Sequence, residues 1–106
     1  MAERTILWKG QSGEEYKYWI SEIDSTYKHV AGNYILVKET EPNTFNPLYI
    51  GESGDLADRL PGHEKWPCAN SHGVTHVCSH TNNSGESVRR QEETDLIAEW
   101  QPPCND

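Results

Sequence analysis

A chain of 106 residues is one domain's worth of protein and leaves no room for two. Hydrophobic residues make up 34%, charged residues 25%, and mean hydropathy is -0.85, so no apolar run approaches the ~20 residues of a membrane-spanning helix, although four Trp and five Tyr supply bulky core material. Nine Lys+Arg against 17 Asp+Glu give a net charge of -8, which argues against a basic nucleic-acid coating protein but leaves room for a nucleic-acid enzyme with a small positive site.

In chain order, Met1-Ala2-Glu3-Arg4 leads into a polar segment rather than an apolar one, and no secretory signal is read. Thr5–Lys9 and Tyr16–Ile20 are rich in β-formers and flank the turn-rich Gly10–Glu15, which predicts a β-hairpin with Tyr16, Tyr18 and Ile20 on one face. Ser21–Ala31 carries no assignable pattern. Asn33–Lys38 and Leu48–Gly51 read as strands that pair antiparallel across a loop from Glu39 to Pro47. Ser53 or Asp55 caps a short helix through Arg59 that Pro61 and Gly62 end or kink. Val74–His80 reads as a further strand. A helix from about Glu86 to Trp100 is closed by Pro102-Pro103.

Three groups of residues could carry chemistry. On the last helix, Val88, Leu96, Ile97 and Trp100 define an apolar stripe, with Arg89 nearly on it and Glu93 close to it. A carboxylate there must be paired, as in an Arg89–Glu93 ion pair, or must hold a metal. Tyr34, Tyr49, Arg59 and His63 form a second set. Phosphoryl chemistry needs a cation to hold the phosphate and a tunable proton acceptor, and Arg59 and His63 share a helix face if the helix survives Pro61. The third set is zinc-like: Cys68, His72, His76, Cys78 and His80, of which the last three would share one strand face. Its spacing is not that of the familiar fingers, and a polar strand face with a buried thiol is the simpler reading. The odd cysteine count, Cys68, Cys78 and Cys104, points away from a disulfide framework and towards a reducing cytoplasm.

The order Gly32-Asn33-Tyr34, Tyr49-Ile50-Gly51, Arg59, His63, Glu93 and Asn105 resembles the GIY-YIG nuclease family over residues 32–105. Arg59 stands eight residues after Gly51, and Glu93–Ile97 followed by Pro102-Pro103-Cys104-Asn105 resembles the closing motif. The resemblance implies an α+β fold, a small three-stranded antiparallel sheet flanked by helices, with residues 32–106 as the nuclease-like domain and 1–31 as an N-terminal β-hairpin extension packed on it. It implies a metal-dependent DNA endonuclease that hydrolyses phosphodiester bonds with one Mg²⁺ or Mn²⁺. Carried over, Glu93 would hold the metal and Arg59 the scissile phosphate. Tyr34, with Tyr49 as the alternative, would take the proton from the attacking water; His63 would support that transfer, and Asn105 would brace the site. Lys65, Arg89 and Arg90 would add to Arg59 in binding DNA, with Lys38 a further candidate. Glu52, after Tyr-Ile-Gly, would either repel phosphate or help bind metal. The resemblance fits a cytoplasmic protein acting on DNA, alone, as a homodimer or with a protein partner, and not at a membrane. The other readings are a GIY-YIG-fold nucleic-acid-binding module with little or no cleavage, and a zinc-stabilised structural domain.

Overall fold

The computed structural model describes residues 4–105; residues 1–3 and 106, the outer ends of the two expected regions, lie outside the described residues. Five strands form one antiparallel sheet: β1 (Arg4–Lys9), β2 (Glu15–Glu22), β3 (Gly32–Glu41), β4 (Thr44–Ser53) and β5 (His76–Thr81), in the order β1-β2-β5-β3-β4. The helices are α1 (Leu56–Arg59), α2 (Trp66–Ser71) and α3 (Glu86–Trp100).

The expected three-stranded sheet is therefore corrected to five. The N-terminal hairpin does not stop at its own pairing: Trp19–Glu22 of β2 pairs with His76–Ser79 of β5, whose other edge pairs with β3. Burying one hairpin edge in this way satisfies a row of backbone groups that an isolated two-stranded ribbon would leave open. The span expected to be a loop, Glu39–Pro47, is mostly strand, because β3 and β4 turn tightly at Asn43, which adopts the left-handed conformation (φ 65°). Pro47 survives inside β4 because β4 is the edge strand and its pairing slips at this point, Leu36 facing Tyr49 but Val37 facing Pro47.

Strand alternation divides the interior into two cores. Ile35, Val37 and Ile50 face Trp8, Tyr18, Phe45, Cys78 and Leu96 under α3, while Tyr34, Leu36 and Val77 face Leu56, Leu60 and Ala69 under α1 and α2. Burial pushes the Cys78 thiol up to about 12, so it sits in the first core as a small inert hydrophobe.

The buried face of α3 is not the expected stripe. Arg89, Glu92 and Leu96 are buried, whereas Val88 and Trp100 are 42% and 41% exposed. Polar residues can occupy this face because each is paired. Arg89 Nε donates to Glu52 Oε2 at 3.0 Å, in place of the expected Arg89–Glu93 pair. Glu92 accepts from the Tyr18 hydroxyl at 2.5 Å and lies 2.6 Å from His80 Nε2. Glu92→Ala strands that hydroxyl and ring in the interior. The expected cost is about 3 kcal/mol in denaturant unfolding, against about 0.5 kcal/mol or less for exposed Glu99→Ala.

The thiols expected to be free are not all free. Cys68 of α2 and Cys104, 36 residues apart, form a disulfide, and Cys78 remains the free thiol. Cysteine usage therefore gives no support to a reducing compartment. No helix among the described residues is long and apolar enough to cross a membrane.

Candidate active site

Tyr34 and Tyr49 come from the paired strands β3 and β4, with Gly51 facing Tyr34 across the ladder. A Cβ on Gly51 would lie 2.6 Å from the Tyr34 hydroxyl and 2.9 Å from the Tyr49 ring. Glycine here thus lets the Tyr34 phenol and the Tyr49 ring pack directly against the β4 backbone. The ring centroids of the two tyrosines are 6.2 Å apart, and His63 stacks edge-on to both, at 5.6 Å from Tyr34 and 5.1 Å from Tyr49.

His63 does not reach this place on a continued helix. The α1 helix, capped by Asp55, ends at Arg59, and a turn through Gly62 (φ 71°) delivers the imidazole. His63 is 2% exposed and its Nε2 lies 2.6 Å from the Tyr34 oxygen. Its Nδ1 accepts the Lys65 backbone N–H at 2.9 Å. That donor fixes the tautomer: Nδ1 carries no proton, so Nε2–H donates to the phenol oxygen. Burial, then the Arg59 charge, lowers the His63 pKa and favours the neutral ring this requires. Burial raises the Tyr34 pKa, with Arg59 pulling the other way, so the phenol is protonated at rest with its own proton directed away from His63.

Burial raises the pKa of both phenols, and Arg59 lies close enough to each to oppose that rise. Its guanidinium is engaged by Glu64, at 2.6 Å from Nη1 and 2.7 Å from Nη2, a two-pronged contact of the shape it would offer a phosphate. This contact holds the Glu64 carboxyl down at about 2. Lys65 places its ammonium 6.0 Å from the Tyr49 ring centroid.

Glu93 comes from α3, which crosses the β4 edge. It is half-buried, and among the described residues no hydrogen bond or ion pair satisfies it. Burial and the charge of Glu52 raise its pKa, with Arg90 opposing. Glu52 is itself held by Arg89 at 3.0 Å and Arg90 at 3.8 Å, so Arg89 is buried and engaged, while Arg90 remains exposed. Asn105 clamps the same edge: its amide accepts from the Ile50 N–H and donates to the Ile50 carbonyl, both at 2.8 Å. In an edge strand those two groups face away from the ladder, and one carboxamide satisfies both.

Tyr34, Tyr49 and His63 thus form the centre of a cluster in which Lys65 stands over Tyr49 and the charges of Arg59 and Glu93 act on both phenols. Lys38, by contrast, lies against Gly73 on the strand-end side, away from this cluster. The zinc-like set does not converge as expected. Cys78 is in the core, His76 bonds Thr75, His80 meets Glu92, and Cys68 and His72 gather with Cys104 instead. Sequence reasoning missed Glu64 as the partner of Arg59, although its place beside His63 in a Pro-Gly turn was a usable signal. No family model, curated protein or solved structure matches the chain.

Proposed function

We propose that this protein is a divalent-metal-dependent DNA endonuclease of the GIY-YIG type. The observation that carries this reading is Glu93, a half-buried carboxylate with no hydrogen bond or ion pair among the described residues, beside a second carboxylate and a Tyr–His pair. An unsatisfied charge in such a place is costly unless a cation completes it, and the all-oxygen donors suit Mg²⁺ or Mn²⁺. Glu93 would hold the ion, with Glu52 next to it. The ion would supply charge neutralisation at the phosphate and a more acidic water.

The chain's own groups account for the rest. Arg59 and Lys65 hold the phosphate, Arg59 bidentately, and meet its charge as it develops. Tyr34 acts as the phenolate: it first gives up its own proton to solvent, with the His63 Nε2–H and the Arg59 charge stabilising the anion, then takes the proton of the attacking water and returns to the neutral phenol. Asn105 keeps Ile50, and with it Tyr49 and Gly51, in register at the edge. DNA is the substrate, and a dimer would place two such sites for cutting both strands. The test is cleavage of end-labelled duplex and branched oligonucleotides with Mg²⁺ or Mn²⁺ against EDTA. Metal-dependent scission supports the reading, and none under any condition removes it.

The Arg59–Glu64 contact favours a second reading, a nucleic-acid-binding module that cleaves weakly or not at all until a partner displaces Glu64. Either way Glu64 competes with phosphate for Arg59. Glu64→Gln is expected to tighten duplex binding by roughly tenfold at low salt, with the gain shrinking as salt rises, measured by fluorescence anisotropy. Stability should change little, because Glu64 is solvent-exposed.

A further inference from the structure

Away from the candidate active site, Cys68, His72 and Cys104 bring one ligand atom each to within 4.8 Å of one another. Cys68 and His72 are four residues apart at the end of α2, so both side chains lie on one side of it, facing the C-terminal segment that carries Cys104. A disulfide alone has no need of an imidazole at that distance. His72 is exposed, Cys68 half-buried and Cys104 buried, which grades the cluster from solvent inwards. His72 also lines an open cavity of about 430 Å³ with Pro103, Trp100 and Lys38. This gives an ion a way in and room for a water beside His72.

We propose that Cys68, His72 and Cys104 form a second metal site, for a borderline-soft divalent ion of the Zn²⁺ class, which exists when the Cys68–Cys104 disulfide is reduced. A dithiol reductant supplies the electrons. Its thiolate attacks one sulfur and releases the other, and its second thiol then displaces the mixed disulfide. The reductant leaves oxidised, and the protein has gained two electrons and two protons. The ion replaces those two protons, with two thiolates and the His72 ring nitrogen as donors and water as the fourth ligand. Two sulfurs and a nitrogen select this class of ion over Mg²⁺, so the site is chemically distinct from Glu93. Either state ties α2 to the chain beside Asn105, since the Cys104 N–H bonds the Leu48 carbonyl and Asn105 clamps Ile50.

The full chain is reduced with a phosphine, which offers no competing thiolate, and titrated anaerobically with Co²⁺. One equivalent is expected to give a thiolate-to-Co²⁺ charge-transfer band and tetrahedral ligand-field bands, all removed by Zn²⁺. The oxidised protein should give none. His72→Ala should weaken Co²⁺ binding by tenfold or more while leaving disulfide formation intact, and Cys78→Ala should leave the bands unchanged. Failure to release the two thiols, no band in reduced folded protein, full affinity in His72→Ala, or loss of the bands in Cys78→Ala would each overturn the site. None of these readouts involves cleavage or Glu93, so they stand apart from the nuclease reading.

Discussion

Glu93→Gln is expected to abolish cleavage and raise the melting temperature in the same protein. Without bound metal the Glu93 carboxylate is a liability, since burial and Glu52 both oppose its charge. Its folded pKa is raised, so in the interval above the ordinary carboxylate value the folded state holds a proton that the unfolded chain has released. Stability therefore falls as pH rises through that interval, and the full penalty is present at neutral pH. The amide keeps the shape without the charge. Its advantage in melting temperature should be largest at neutral pH and vanish below the ordinary carboxylate range. Mg²⁺ or Mn²⁺ should stabilise the wild type and not the variant, because an ion that binds only the folded site stabilises by mass action. Cleavage should fall by orders of magnitude. An ordinary surface acid would move neither readout, and a structural ion-pair partner would lower stability when neutralised.

Tyr34→Phe is expected to stop turnover while DNA binding survives, because the phosphate contacts belong to Arg59 and Lys65. The variant also leaves the His63 Nε2–H without its acceptor in the interior, a cost of about 1–3 kcal/mol. Tyr49→Phe should retain most activity; the reverse pattern would transfer the base to Tyr49, the more exposed of the two. His63 adds a pH signature. Its folded pKa is lowered from 6.5, so its contribution to stability is complete above 6.5 and is lost as pH falls below it, when the unfolded chain takes up a proton that the folded ring resists. Activity should weaken only at lower pH, as the folded ring itself takes up a proton, since a protonated Nδ1 would oppose the Lys65 N–H. His63→Gln should lose this part of the acid sensitivity of the melting temperature.

The strands were legible where β-formers alternate between turn residues, as in Thr5–Lys9, Tyr16–Ile20 and Asn33–Lys38. The capped start and early stop of α1 were legible in Asp55, Pro61 and Gly62. What local pattern could not show was which edge the hairpin joins, because the pairing of Ser21 with Val77 links residues about half the chain apart. Pro47 misled by signalling a loop where an irregular edge strand accommodates it. The helix α2 was not legible: its N-cap, Lys65, makes no side-chain cap, and it carries Pro67 in its first turn, where a helix tolerates proline. On α3 an apolar stripe was sought, but two of its three buried residues are charged and are satisfied by distant partners: Glu52, Tyr18 and His80. The Cys68–Cys104 pairing likewise joins segments that only the fold brings together. The candidate site was legible as a set of residues in order; Glu64 on Arg59 and the tautomer of His63 required geometry.

The most direct measurement is the rate at which purified protein nicks supercoiled plasmid, wild type beside folded Glu93→Gln, each with Mg²⁺, with Mn²⁺ and with EDTA. The prediction is nicking by the wild type in either metal, none in EDTA, and a loss of at least a hundredfold in the variant. Equal rates for the two proteins, or nicking that persists in EDTA, would contradict a metal-dependent nuclease centred on Glu93.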